Sequence, residues 1–263
     1  MGLANLGRFA SLPCGIASLS VISNESITFG VAYEDEHVLV IEKRAGLVTQ
    51  PGLGHEDDSL LNGLYCRWGN KLQNLGKLRD YGLLHRLDRE TSGLLVVGLS
   101  GKAYDGIRQQ FEKREVKKFY WAICNKAPRD SVGLVKKPLA EVEPKRQGEK
   151  KMAIIASPPR GKPSETAFRV MASNISAALL ECRPLSGRLH QIRVHMEAIG
   201  CSILGDGLYA RPQIAAAAPR LALHAHRLSF VHPITGEIVD ARSDFPADLR
   251  PVLRRMKLPL PVA

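Results

Sequence analysis

Cysteine is scarce in this chain: 263 residues hold five, at positions 14, 66, 124, 182 and 201. The count is odd, the spacing wide, and no two form a CxxC pair. That pattern argues against a disulfide framework and against a zinc ribbon; reduced, mostly buried thiols in a cytoplasmic protein are the plain reading. Long apolar runs are also missing. None approaches the roughly 20 residues that cross a bilayer, so no membrane partner is expected. The first 25 residues carry one basic side chain, Arg8, and one acid, Glu25, without a charged start leading into a clean apolar stretch. They do not read as a secretory signal, and a flexible segment over 1–27 is the expectation, with a short tail over 256–263. No repeat at the period of solenoids or propellers and no low-complexity tract occurs. Acidic residues are in deficit, 26 against 37 Lys+Arg, which gives a net charge of +11.

With 44% hydrophobic residues, a chain of this length can bury a substantial core, roughly three quarters of its unfolded surface. The basic excess suits a polyanionic partner. It is also concentrated: residues 113–162 hold 14 Lys/Arg and five Asp/Glu, so +9 of the +11 lies in that stretch. A solvated face can carry such a run, but one concentrated field on an otherwise near-neutral chain is what a phosphate backbone would use.

The hydrophobic pattern alternates between short strands and a few helices. Residues 29–43 read as two strands around an acidic turn, and 93–99 as a buried strand. Ser100 is placed to cap a helix whose Ala103, Ile107 and Phe111 share one face. A short helix is expected over 60–68, strands over 116–124, 166–171, 177–182 and 221–231, and a returning strand over 237–241. Residues 189–199 have helical spacing with Gly200 as a stop, and Pro246 opens a short final helix. The basic tract over 126–163 reads as loops and edge strands. Strands and helices do not recur as βαβ units, so the expected class is α+β with a mixed, largely antiparallel sheet.

Three segments carry side chains suited to chemistry. In HRLDRETSG, residues 85–93, Asp88 sits between Arg86 and Arg89 just before a buried strand. A carboxylate beside cations is held in its charged form; it is either a nucleophile or half of an ion pair closing a strand end. Leu87 separates Arg86 from Asp88, no Gly-rich phosphate loop precedes it and no D-F-G follows, which rejects a kinase catalytic loop. In SGRLHQIRVH, residues 186–195, His190 and His195 are five apart without an H-E-x-x-H, so the zinc-peptidase reading fails. His224 and His226 would share one side of a strand, but no third ligand is evident, and structural histidines are the plainer reading. Arg188 and Arg193 suit carboxylate or phosphate recognition through their planar guanidinium groups. In the third segment Lys118 and Tyr120 should face one side of a strand and Phe119 the other. A tyrosine beside cations there can stack on an unpaired base or simply fill a core. No dinucleotide fingerprint and no convincing metal cluster is present, so neither cofactor nor metal is expected.

Together these segments resemble the RluA family of pseudouridine synthases over about 31–249. The matching strings run in the family's order: YEDEHVLVIEKRAGLVTQPG at 33–52, HRLDRETSGLLVVG at 85–98, KKFYWAI at 117–123, GKPSETAFRV at 161–170, SGRLHQIRVHMEAIGCSILGD at 186–206 and LALHAHRLSFVHPITGE at 221–237. The resemblance implies the pseudouridine synthase fold, a bent and mostly antiparallel sheet flanked by helices and loops with a central basic cleft, in one catalytic domain over 28–255. It implies isomerisation of uridine in rRNA or tRNA after base flipping. Asp88 matches the catalytic aspartate, Tyr120 the tyrosine that packs on the flipped uracil, Arg193 the basic residue paired with the catalytic carboxylate, and Arg86 the arginine that fills the vacated stack. His85, Thr91, Lys118, Arg188, His190 and Gln191 complete an implied RNA-contacting set. Ser186 stands where the family usually has threonine, and 128–151 matches less closely. The roughly thirty residues before the match are too few for the ribosomal-protein-like domain of many relatives, so a monomer without an added RNA-binding domain or obligatory protein partner is expected. The competing class is a non-catalytic RNA-binding or chaperone protein on the same fold.

Overall fold

A computed structural model describes residues 21–144, 146 and 151–261, and its strands follow the β-branched runs. The chain opens with β1 (Gly30–Glu34) and β2 (Val38–Lys43), an antiparallel pair around the acidic turn. Helix α1 (Leu60–Leu75) follows, capped by Ser59 and Asn62 bonding reciprocally across its first turn. It runs past the expected 60–68 because Leu72 and Leu75 continue the buried face beyond a kink at Trp68. Then come β3 (Ser92–Gly98) and α2 (Gly101–Glu112), the latter capped by Ser100 with Ala103 and Ile107 buried, as the four-residue spacing predicts. Strand β4 (Lys117–Cys124) leads into the basic tract, which holds β5 (Val132–Lys136) and a separate hairpin of β6 (Leu139–Val142) and β7 (Met152–Ile155). Strands β8 (Glu165–Ser173) and β9 (Ala178–Pro184), helix α3 (Gln191–Ala198) and the short α4 (Pro212–Ala215) precede β10 (Leu223–Val231) and β11 (Ile238–Arg242). The last helix, α5 (Arg250–Arg255), carries Pro251 in its first turn, whereas Pro246 precedes a 3-10 turn over Ala247–Leu249 instead.

The main sheet runs β1-β2-β3-β10-β4-β9-β8-β5, with β11 paired to the far half of β10. Every pairing in it is antiparallel except β3 with β10, so the fold is α+β with a mostly antiparallel sheet. Strands β2 and β3 are buried on both faces. Leu39, Ile41, Leu95 and Val97 meet Leu60, Leu64 and Leu72 of α1, while Val38, Val40, Leu94 and Val96 meet Ala103 and Ile107 of α2. That explains the continuous apolar run VLVI, which alternation alone would not give.

Two boundaries differ from the sequence reading. Residues 21–27, assigned to a flexible segment, are pinned to α1: Val21 and Ile27 are buried, and the Asn62 side chain donates to the Ile22 carbonyl at 2.7 Å. The rest of that segment, 1–20, lies outside the described residues. At the other end Leu258 is buried in the main core and the Met256 carbonyl accepts from Asn174 at 2.7 Å, so the tail begins later than 256.

Candidate active site

The loop carrying Asp88 lies at the entry to β3, where β3 and β10 come together in parallel. Gly93 adopts φ +114, and a Cβ there would overlap the Ala225 backbone of β10; only glycine allows the two strands so close. A second segment fixes the loop from behind. The Thr49 hydroxyl donates to the Leu87 carbonyl at 2.9 Å, the Gly46 amide donates to the Arg89 carbonyl at 2.8 Å, and the Thr91 amide donates to the Asp88 carbonyl at 3.1 Å. Lys43, fully buried, donates to the carbonyls of Arg44, Leu47 and Arg89 at 3.0, 2.7 and 3.2 Å. A buried ammonium is tolerated when its donors are satisfied in this way.

The Asp88 side chain projects into a cleft of about 620 Å³, the size of a small-molecule pocket. Its neighbours in sequence do not supply its charge partner, contrary to the local expectation: Arg89 turns to the Gly46 carbonyl at 3.1 Å. The partner comes from α3. Arg193 Nη1 lies 3.5 Å from Asp88 Oδ2, and His190 Nε2 lies 3.9 Å from the same oxygen. The tighter partner of Arg193 is Asp206, in a bidentate pair with Nε–Oδ2 at 2.9 Å and Nη2–Oδ1 at 2.6 Å. Both are buried, at 6% and 2% exposure, against 23% for Asp88. Burial opposes charge on each, but the mutual hydrogen bonds and the attraction of neighbouring charges together outweigh it, raising the arginine and lowering the aspartate. Asp206 also accepts from the amides of Leu208 and Tyr209, and Gly205 before it has φ +77 at a site where a Cβ would overlap the Arg220 carbonyl. The fork–fork pair locks the guanidinium plane and leaves Nη1 aimed at Asp88.

Tyr120 enters from β4, opposite Ala225 of β10 and Cys182 of β9. It and Lys118 both line the cleft, as alternation predicts, while the ring of Phe119 lies near His226 and Arg227. Burial, with the Asp88 charge adding to it, pushes the Tyr120 hydroxyl well up, so it is protonated at neutral pH. Burial also pushes the Lys118 ammonium down to about 8; it stands over the Phe111 ring at 5.5 Å. Arg86 and Arg188 are exposed on the cleft wall, with Arg114 and Arg183 beside them. Arg114 belongs to the basic stretch over 113–162, whereas Arg183 was not singled out in the sequence.

The other expected RNA contacts are built into the scaffold. His85 Nε2 accepts from the Val96 amide at 3.1 Å, its ring packs on Phe111, and burial pushes it down to about 3. Gln191 accepts from Ser186 and the Arg188 amide and donates to the Glu165 carbonyl and Thr166, engaging its amide on both sides. Thr91 is buried against the cleft floor, 2% exposed. In the basic tract Lys151 pairs with Glu141 and Glu143 at 2.6 Å each, and Lys136 with Glu165 at 3.5 Å, so part of its charge is neutralised internally. Residues 145 and 147–150 of that tract lie outside the described residues. The strand histidines are also accounted for: His224 bonds Ser92 and Ser243, and His226 bonds Glu181 while stacking on Trp121 at 3.9 Å.

Asp206 and Tyr209 are the site residues the sequence reading passed over. Asp206 ends the longest matching string, 13 residues after Arg193, a separation no helical or strand period connects. A buried arginine needing a carboxylate was the one available signal.

Comparisons with known proteins identify the family. The family model described as RNA pseudouridylate synthase matches residues 37–198. The ribosomal large subunit pseudouridine synthase D of Zymomonas mobilis is 39% identical over 241 residues, covering 89% of this chain and 74% of that protein. The dual-specificity RNA pseudouridine synthase RluA of Escherichia coli is 38% identical over 225 residues, covering 83% of this chain and 93% of that protein. Among solved structures, human RNA pseudouridylate synthase domain containing 4 superposes with a TM-score of 0.69 at 26% identity, over 89% of this chain and 95% of that one. These likenesses support a synthase and lend nothing to the non-catalytic alternative. The chain is an RNA pseudouridine synthase, an isomerase belonging to the RNA pseudouridylate synthase family in its RluA branch.

Proposed function

We propose that the chain isomerises uridine in large ribosomal RNA or transfer RNA, with Asp88 as the carboxylate that acts on the reacting nucleotide. The observation that carries this reading is the arrangement around Asp88: a partly exposed carboxylate on the floor of a basic cleft, 3.5 Å from a guanidinium that Asp206 holds rigid. A preorganised cation beside the carboxylate lowers the reorganisation needed when charge moves during the reaction. The reaction breaks an N-glycosidic bond, turns the base and closes a C–C bond, consuming no water and oxidising nothing. The target uridine has to leave its stack, at a cost of a few kcal/mol, and exposed Arg86 at the cleft mouth is suited to fill the gap. Tyr120 packs on the flipped ring; its hydroxyl, held protonated, enters as a proton or hydrogen-bond donor rather than as a base. Arg114, Arg183, Arg188 and Lys118 hold flanking phosphates and contribute affinity more than sequence choice.

The names of the relatives support the ribosomal substrate and leave room for a second one: one is a ribosomal large subunit synthase, the other a dual-specificity RNA synthase. The described cysteines are all free, which supports a cytoplasmic setting. The test is tritium release from C5-labelled uracil, with large ribosomal RNA and transfer RNA from cells lacking the gene presented separately. Release from at least one fraction is expected; release from neither, with both RNAs bound, contradicts the substrate assignment.

A further inference from the structure

His190 caps α3 in the left-handed region, φ 51, a conformation that is costly for a non-glycine residue and persists only where surroundings hold it. Its ring is 12% exposed and wedged between Asp88 and Tyr209. Nδ1 lies 2.7 Å from the Tyr209 hydroxyl, and that hydroxyl accepts from the Ala153 amide of β7 at 2.8 Å. The hydroxyl has one proton to give, and Nδ1 is the acceptor it meets. At the other end Nε2 faces Asp88, which as a carboxylate only accepts. Both ends therefore select one neutral tautomer, with the lone pair on Nδ1 and the proton on Nε2. Burial disfavours a charged ring, and Arg193 and Arg86 oppose it against the pull of Asp88 and Asp206. The Tyr209 ring also lies under the Arg193 guanidinium at 5.1 Å, so one side chain braces both donors.

We infer that Tyr209 and His190 form a two-residue relay that fixes the Nε2–H tautomer of His190 and presents it to Asp88 as a second donor beside Arg193. His190 is a positioning residue and Tyr209 selects its tautomer. The Nε2–Oδ2 separation of 3.9 Å is beyond a hydrogen bond in the free protein; an approach of about 1 Å as substrate seats makes it one. The inference rests on Asp88 being the catalytic carboxylate.

The test is a double-mutant cycle on single-turnover rate at saturating RNA, with RNA affinity and thermal melting measured alongside. His190→Leu is expected to lower the rate about tenfold with affinity within about twofold, and Tyr209→Phe to lower it several-fold alone but not further in the His190→Leu background. His190→Gln, whose amide nitrogen replaces Nε2 at the same backbone strain, should recover much of the loss. A wild-type rate for His190→Leu, or additive losses for the pair, overturns the relay. If His190→Leu does not fold, His190→Met, which likewise carries no donor, takes its place in the cycle with the same two outcomes. Asp88→Asn in the same assay separates the two claims. An active Asp88→Asn enzyme removes the premise, whereas an inactive one beside a wild-type His190→Leu rate removes the relay alone.

Discussion

Replacing Asp206 with alanine strips a buried guanidinium of its bidentate partner and should damage stability and catalysis together. Breaking one side of a buried ion pair costs about 3–5 kcal/mol, because the surviving charge is left desolvated. Two features of this site pull in opposite directions within that range. Asp88, 3.5 Å from Arg193, is available to take over part of the charge. The amides of Leu208 and Tyr209 meanwhile lose their acceptor. For a chain of this size each kcal/mol moves the melting temperature about 2–4 °C, so a fall of about 6–20 °C is expected. Arg193, freed from its clamp, no longer aims Nη1 at Asp88, and the single-turnover rate should drop further than RNA affinity does. Adding Arg193→Met to Asp206→Ala removes the stranded charge and should recover most of the stability while leaving the enzyme inactive. Urea denaturation and thermal melting, run with a single-turnover assay, measure all three. A loss below about 1 kcal/mol, or a double variant no more stable than Asp206→Ala, refutes the buried-pair reasoning. The pH dependence has a defined sign. The Asp206 carboxyl is lowered in the folded state from its ordinary 3.8. Its contribution is therefore complete above that value and lost as pH falls through the lowered one, so Asp206→Asn should flatten the acid limb of the stability profile below about pH 4.

Other expected outcomes follow from single positions. Lys118 is pushed down to about 8, so RNA affinity should weaken between pH 7 and 9 as its charge is lost; Lys118→Met should remove that step and reduce the salt slope of binding by about one, and an unchanged step in the variant contradicts the assignment. Lys43→Met leaves three loop carbonyls without their donor, which should cost about 2–4 kcal/mol in urea denaturation; a loss under about 1 kcal/mol is the contrary result. Gly93→Ala meets both a positive φ and the Ala225 backbone and should destabilise by more than about 2 kcal/mol. Gly207→Ala, with open space around it, should stay within about 0.5 kcal/mol, and equal effects for the two glycines contradict the close-approach argument.

Much of the framework could be read from local pattern because its causes are local. Alternation in β4 puts Lys118 and Tyr120 on one side, and the Ser100 cap with its four-residue spacing fixes α2. What escaped depends on partners distant in sequence. Local pattern pairs Asp88 with its flanking arginines; only the family resemblance pointed to Arg193, which arrives from α3 far along the chain. His85 and Gln191 sit inside the strongest motifs and read as substrate contacts, but their hydrogen bonds go to Val96, Ser186 and Thr166 of the scaffold. The basic tract reads as free charge because sequence does not show that hairpin pairing sets Lys151 against Glu141. Tyr209 carried no pattern; only the fold brings it against His190.

The central claim is that Asp88 performs the chemistry, and tritium release from C5-labelled uracil in RNA, wild type against Asp88→Asn, tests it most directly. Isomerisation joins C5 to the sugar, so label reaches water only when pseudouridine forms. The expected result is release by wild type alone, with the Asp88→Asn protein folded and binding RNA within a few-fold of wild type. Release by Asp88→Asn at the wild-type rate contradicts the account.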